Sequence, residues 1–363
     1  MSRIGILGGA FDPIHLGHTR IIKESILKLN LDTLLVIPTK NNPWKDHSAL
    51  SNNDRINTIS LAIKDIAKAK ICTIELDSLT EDKNYTIDTL KTLKKQYQND
   101  ELFYIMGMDQ ASKFNQWKNA KEISELVSLV VFKRPDYQEN NNLKTYHFLE
   151  IETSISHESS TAIKQGHIEM LDKNVLSYLA NHGLCLDSLI KKKMSNKRYL
   201  HTLSVAKLAR EFAQSNHLDD LKAYIAAMMH DVAKEMDKDL ELELMKKYYS
   251  EFLNKPEPVY HQWLSSYVCQ NEFDIHDQEI LQAIENHTTA SLDMHLLDMC
   301  VYCADKLDPL RGYDSSEAIA LCNQDIKKGF VYCLNDFYQF SKKKNREIDP
   351  CFFEIFNKFK KEI

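Results

Sequence analysis

A chain of 363 residues exceeds the about 250–300 that one hydrophobic core usually serves, and a content of 43% hydrophobic and 27% charged residues excludes disordered, collagenous and coiled-coil classes. The net charge of −6 divides into −1 over residues 1–185 (22 basic, 23 acidic) and −5 over the remainder (24 basic, 29 acidic), so neither half has the basic surplus of a nucleic-acid-binding surface. No apolar run reaches the ~18–20 residues of a membrane span, Met1-Ser2-Arg3 leads straight into a strand pattern, and the eight cysteines, which lack framework spacing, read as reduced thiols. A cytoplasmic protein without membrane or nucleic-acid partners is expected.

Residues 3–8 read as a short buried strand, followed by a turn and a helix from about Gly17 to Leu29 with Ile21, Ile22, Ile26 and Leu29 at helical spacing. Further buried strands are predicted at 34–38, 103–107 and 126–132, with helices near 52–68, 86–97 and 118–125 between them. This alternation specifies an α/β, Rossmann-like parallel sheet covered on both faces. After about Leu186 the pattern holds no strand, only amphipathic helices such as Val205-Leu208-Ala209-Phe212 and Leu221-Tyr224-Ile225-Met228. An all-α second domain follows, with boundaries expected at 1–186 and 190–363.

Glycine is scarce, nine in all, yet Gly5, Gly8, Gly9 and Gly17 fall within the first 17 residues. The run Gly8-Gly9-Ala10-Phe11-Asp12-Pro13-Ile14-His15-Leu16-Gly17-His18 joins the first strand to the first helix. In a parallel sheet it lies at the carboxyl strand ends, where backbone N–H groups and the positive helix end can receive phosphate and two imidazoles three apart can face one anion. Neither G-x-x-x-x-G-K-[ST] nor G-x-G-x-x-G occurs there.

In the second half, His201, His230-Asp231, His261, His287 and Asp305 stand on a helical background. Imidazole with carboxylate is the ligand set of Fe, Mn, Zn or Ni. Asp231 ends the apolar run Ala223–Met229, a costly place for a carboxylate unless a cation compensates it, and an Asp bridging two metals would resolve that cost. Cys300-Val-Tyr-Cys303 lacks a second C-x-x-C and lies on the helix leading to Asp305, so zinc is not expected there.

The first half resembles the H-x-G-H nucleotidylyltransferase superfamily, specifically bacterial nicotinate mononucleotide adenylyltransferases of the NadD type. Beyond the glycine run, the matching motifs are Pro38-Thr-Lys40-Asn-Asn-Pro43-Trp44-Lys45, Asp54-Arg55, Tyr85-Thr86-Ile87-Asp88-Thr89, Gly107-Met-Asp109, Trp117, Arg134-Pro135 and Ser159-Ser160-Thr161-Ala-Ile-Lys164. The resemblance implies that His15 and His18 contact the ATP phosphates, within a nucleotide site that includes Gly8, Gly9, Phe11, Asp12, Gly107 and Asp109. It further implies that Lys45 with Ser160 and Thr161 holds the departing pyrophosphate, that Mg²⁺ accompanies ATP, and that Thr86, Trp117 and Arg134 receive nicotinate mononucleotide. The family's Arg is replaced by Lys164, which supplies charge but not a bidentate fork, and its closing tyrosine by Cys185. Nicotinamide mononucleotide or phosphopantetheine as acceptor is the alternative.

The second half resembles HD-domain metallohydrolases, closest to the YqeK type that hydrolyses diadenosine tetraphosphate symmetrically to ADP. The motifs are Arg198-Tyr-Leu-His201, Met229-His230-Asp231-Val-Ala-Lys234, Glu285-Asn-His287-Thr288 and Tyr302-Cys-Ala-Asp305-Lys306-Leu-Asp-Pro309-Leu-Arg311. By this resemblance His201, His230, Asp231, His261, His287 and Asp305 hold a dinuclear transition-metal centre, iron or manganese. Asp231 and Lys234 then act in catalysis, and Lys234 and Arg311 contact substrate phosphates. The usual Gly after His261 is Gln262 here. A nucleotide-sensing module that binds without turnover is the alternative.

Overall fold

The computed structural model describes residues 1–40, 49–77, 85–133, 140–153 and 160–363. It divides into two compact units, Met1–Ile163 with Ile168–Val175, and Lys164–His167 with Leu176–Ile363.

The first unit carries β1 (Arg3–Gly9), α1 (Leu16–Lys28), β2 (Thr33–Pro38), α2 (Asn52–Ile63), β3 (Ala69–Ile71), α3 (Thr86–Gln96) and β4 (Glu101–Gly107). There follow α4 (Met108–Ala111), α5 (Ala120–Leu126), β5 (Ser128–Lys133), α6 (Asn141–Thr145), β6 (Leu149–Glu152) and α7 (Ser160–Ile163). The six strands form one parallel sheet ordered β3-β2-β1-β4-β5-β6. Successive side chains face opposite sides of a pleated strand. Ile4 and Ile6, Leu35 and Ile37, Leu102, Tyr104 and Met106, and Leu129 and Val131 therefore make one core with Ile87, Leu90 and Leu93 of α3 and Ile123 of α5. Leu34, Val36, Phe103, Ile105, Val130 and Phe132, the alternate residues, are buried too, as a sheet covered on both faces requires.

Three local expectations change. Helix α2 ends at Ile63 rather than near 68, and Leu126 closes α5 instead of opening a strand. The edge strands β3 and β6, of three and four residues, were not anticipated.

The second unit is helical, and its described residues include no strand. α8 (Lys173–Asn181), whose first residues belong to the first unit, leads into α9 (Leu186–Ile190), α10 (Asn196–Ser215), α11 (Asp220–Met229), α12 (Lys238–Tyr248), α13 (His261–Glu272), α14 (Gln278–Asn286), α15 (Leu296–Leu307), α16 (Ser316–Gln324), α17 (Ile326–Lys343) and α18 (Pro350–Lys360). The polar stretch after Leu186 is helical and buries Leu186, Leu189 and Ile190. Residues 176–186 pack with this unit: Ser177 Oγ donates to the Asp274 carboxylate at 2.7 Å, and the Asn181 amide donates to the Asp274 carbonyl at 3.0 Å.

Aspartates start many of these helices by accepting otherwise unpaired N–H groups. Asp219, Asp237, Asp277, Asp325 and Asp349 cap α11, α12, α14, α17 and α18. α11 is almost wholly apolar, burying Ala223, Ile225, Ala226, Ala227, Met228 and Met229, and is surrounded by α10, α14 and α15. Its carboxyl end therefore delivers the next two residues, His230 and Asp231, into the interior.

α16 and α17 approach closely at Gly329, where a Cβ would lie 2.3 Å from Cys322 Sγ and 2.8 Å from Cys322 Cα. Overpacking of this kind costs about 1–3 kcal/mol. Gly329→Ala is expected to lower the melting temperature of the second unit and leave that of the first unchanged, as separate transitions in differential scanning calorimetry would register.

Candidate active sites

In the sheet order, the sense in which successive strands are added reverses between the parallel neighbours β1 and β4, the topological switch point at which open α/β sheets bind ligands. β1 pairs with β4 through Leu7 and Ile105, so Gly8-Gly9 and Gly107 end neighbouring strands at that crevice. A Cβ on Gly8 would lie 3.2 Å from the Tyr104 hydroxyl, and one on Gly9 3.0 Å from the Phe11 ring. Phe11 is buried in the left-handed region (φ 45°) and meets the His18 ring edge-on at 5.0 Å.

His15 is the N-cap of α1, and His18 lies in its first turn with ring centroids 3.7 Å apart. The His15 backbone N–H donates to His18 Nδ1 at 3.3 Å. A neutral His18 therefore carries its proton on Nε2, a donor suited to an anion. No acidic side chain stands in the first turn of α1 to neutralise its positive end.

Asp12 braces the segment that leads into α2. Its buried carboxylate accepts the backbone N–H groups of Ala49 and Leu50, both at 2.9 Å. Nearby, buried Arg55 donates to the carbonyls of Ala10 at 2.9 Å and Thr39 at 2.7 Å, tying the glycine turn to the end of β2.

Thr86 opens α3, and Trp117 packs against Phe114 at 5.4 Å. Tyr104, which the sequence reading did not single out, connects these positions. Its hydroxyl is hydrogen-bonded with Thr86, its ring meets Trp117 edge-on at 6.1 Å, and it lies against Gly8. Burial, reinforced by the Glu75 carboxylate, raises its phenol far above the ordinary range despite the Thr86 bond. Asp109 is exposed beside Gly107, and Ser160 and Thr161 form the first turn of α7. Lys45 and Arg134 lie outside the described residues.

In the second unit, six expected ligands converge from five segments. His201 is on α10, His230 and Asp231 follow α11, His261 begins α13, His287 follows α14, and Asp305 is on α15. Ligand atoms within 4.8 Å of one another form two triads, His201–His230–Asp231 and Asp231–His261–His287. Asp231 belongs to both: its Oδ2 is 3.6 Å from His230 Nε2, and its Oδ1 is 3.2 Å from His261 Nε2 and 3.7 Å from His287 Nε2. Asp305 Oδ1 joins the first triad, 3.1 Å from His201 Nε2 and 4.0 Å from His230 Nε2.

The protonation pattern suits a cation. His230 and His287 each direct Nδ1 at the carbonyl three residues back, at 2.6 Å, and His261 does so at 3.0 Å. That leaves their Nε2 lone pairs facing inward. Burial pushes His230 down to about 4 and His261 to about 3, so both are neutral at pH 7. Burial opposes charge on Asp231, but the surrounding imidazoles of His230, His261 and His287 outweigh it and hold the carboxyl well below its usual range. His230 Nε2 is buried without a hydrogen-bond partner, and the Nε2 atoms of His261 and His287 approach to 3.1 Å. Converging lone pairs around a carboxylate are the arrangement that a divalent cation satisfies, so the residues fit a metal.

Four cations border the cluster. Arg198 pairs with Asp231 and is held by Glu235 at 3.0 Å, Lys234 Nζ lies 2.8 Å from His261 Nδ1, and Lys306 and Arg311 reach Asp305 at 2.9 and 2.6 Å. Lys234 and Arg311 were anticipated; Arg198 and Lys306 were recognised only as parts of a motif. Gln262 is buried and bonds Thr289, accepting its backbone N–H at 3.3 Å and donating to its hydroxyl at 3.1 Å, which braces the turn after His287. Cys300 and Cys303 are buried free thiols of the α15 core.

A cytidylyltransferase-like family model matches residues 6–166, and an HD-domain model matches residues 198–310. A protein of Mycoplasma genitalium named "Probable nicotinate-nucleotide adenylyltransferase/Ap4A hydrolase" is 30% identical over 345 residues, covering 92% of this chain and 97% of that protein. Its namesake in Mycoplasma pneumoniae is 26% identical over 338 residues, covering 91% and 97%. A crystal structure of a predicted HD superfamily hydrolase involved in NAD metabolism from Clostridium acetobutylicum aligns with a TM-score of 0.45 at 24% identity, over 49% of this chain and 96% of that one. Since likeness to the first relative extends across both domains in the same order, the chain belongs to the two-domain family named for nicotinate-nucleotide adenylyltransferase and Ap4A hydrolase.

Proposed function

We propose a bifunctional enzyme: residues 1–186 transfer AMP from ATP to nicotinate mononucleotide, giving deamido-NAD and pyrophosphate, and residues 190–363 hydrolyse diadenosine tetraphosphate symmetrically to two ADP. The observation that carries the first activity is the pair His15 and His18 at the positive end of α1, beside the glycine turn and at the switch point. The second rests on Asp231 shared between two histidine groups.

Adenylyl transfer requires in-line placement and neutralisation of charge rather than a covalent nucleophile. An acceptor phosphate oxygen attacks the α-phosphorus of ATP, and the bond to pyrophosphate breaks. His18 Nε2–H, His15 and the amides of the glycine turn and α1 receive the phosphate charge that grows as the bond breaks. Thr86 and Trp117, joined through Tyr104, form the acceptor side, with Trp117 offering a stacking face for a pyridine ring. Lys45, Arg134, Ser160 and Thr161 supply further phosphate contacts, and Mg²⁺ enters on the ATP triphosphate.

For hydrolysis, His201, His230, Asp231 and Asp305 would hold one metal and Asp231, His261 and His287 a second; the donor set admits Fe, Mn, Zn or Ni, and the family resemblance favours iron or manganese. Such a centre supplies Lewis acidity and a more acidic water. The chain's own cations, Arg198, Lys234, Lys306 and Arg311, take up phosphate charge around it. Lys234 is held by the carbonyl of Pro258 at 3.0 Å, and Arg311 Nε by the carbonyl of Asp305 at 2.8 Å. Both are thus fixed before substrate arrives.

The full-length protein tests both halves. With ATP it should form deamido-NAD from nicotinate mononucleotide in preference to reaction with nicotinamide mononucleotide or phosphopantetheine; preference for either competitor would overturn the acceptor assignment. Elemental analysis should find near two equivalents of iron or manganese, together with ADP release from diadenosine tetraphosphate. No metal and no release would leave a nucleotide-sensing module.

A further inference from the structure

Of the four histidines in the metal cluster, three direct Nδ1 at a backbone carbonyl on their own segment. His201 differs. Its Nδ1 lies 2.6 Å from Oδ2 of Asp308, a carboxylate 107 positions away in sequence and 1% exposed. The other oxygen of Asp308 accepts the Ser204 hydroxyl at 2.6 Å and the Leu310 N–H at 3.1 Å. Ser204 stands one turn beyond His201 on α10, so two side chains of that helix converge on one buried carboxylate at the end of α15.

Resting on the metal-centre reading above, we propose that Asp308 is a positioning residue for His201, fixing its proton on Nδ1 and presenting Nε2 to the first metal position. A carboxylate accepting from the far nitrogen of an imidazole makes that ring a stronger donor than a carbonyl does, and loss of such a partner typically costs about 10–100-fold in metal affinity. The effect should be selective. His201 belongs to the His201–His230–Asp231 triad, whereas His261 and His287 are held by Pro258 and Ile284 and do not touch Asp308.

The test uses the full-length chain, stripped with a chelator and titrated with Co²⁺, whose visible absorption reports ligand number and kind. Wild type should bind two equivalents. Asp308→Ala should retain one equivalent near wild-type affinity and bind the other about 10–100-fold more weakly. Asp308→Asn, whose amide oxygen can still accept from Nδ1, should fall between them. Thermal melting of each variant identifies a folding defect. Two unchanged sites in a folded Asp308→Ala protein would overturn the proposal, leaving Asp308 as a cap on the turn at Leu310. So would equal weakening of both sites with a lowered melting temperature. A wild-type protein that binds no Co²⁺ would instead overturn the metal-centre reading, and this inference with it.

Discussion

Replacing His230 and Asp231 together by alanine is expected to reduce ADP release from diadenosine tetraphosphate by ~10³-fold or more, with deamido-NAD formation unchanged. The size follows from the Lewis-acid contribution of bound metal, several kcal/mol, at tenfold in rate for each ~1.36 kcal/mol. The pair removes His230 from one triad and Asp231 from both, so neither position keeps its ligand set. The deletion takes one partner from Arg198, which Glu235 still holds at 3.0 Å, so the melting temperature of the variant separates loss of the site from loss of the fold. Metal content, ADP release and adenylyl transfer on the same preparation decide the matter. Retained hydrolysis would place the chemistry elsewhere, and loss of both activities would point to global damage.

His18→Ala is expected to lower kcat for adenylyl transfer by about 10²–10³-fold, the usual effect of deleting a donor aimed at developing negative charge. His15→Ala should act in the same direction but also weaken the start of α1, because His15 is its N-cap. The more informative measurement is the division of the effect. If His18 Nε2–H serves phosphate charge that grows during transfer, kcat falls while KM for nicotinate mononucleotide barely moves. A raised KM with unchanged kcat would make His18 a ground-state binding residue. Hydrolysis of diadenosine tetraphosphate provides the internal control, since no residue of its cluster belongs to the first unit.

The features most legible in the sequence were those repeated over several residues. Runs such as Leu34–Ile37 and Phe103–Met106 are buried on both faces and so are apolar throughout, which made β2 and β4 readable. β3 and β6 lie at sheet edges, and in both some residues remain exposed. Neither presents the continuous apolar run that marks a central strand. The candidate metal ligands could be gathered because chemistry and motif order agreed, and the fold brings them together. Tyr104, Asp308 and Gln262 could not, for each acquires its role from a partner that only tertiary packing brings near. Tyr104 sits in an otherwise apolar strand, a faint signal of a polar tip in use; Asp308 offers no comparable mark. Asp12 illustrates the reverse case, a motif residue whose carboxylate is engaged by the backbone of Ala49 and Leu50.

The proposed metal ligands span His201 to Asp305 and come from five segments, with α11 at their centre. Opening any one of those segments dismantles the cluster, so the native second unit binds a cation in a way its unfolded chain does not. Metal occupancy is then linked to folding, adding stability that grows with the logarithm of free metal concentration. Scarcity of metal thereby weakens this unit along with its chemistry, exposing it to proteolysis from the unfolded state. Because both units lie on one polypeptide, the supply of metal bears on the abundance of the adenylyltransferase as well as on the hydrolase.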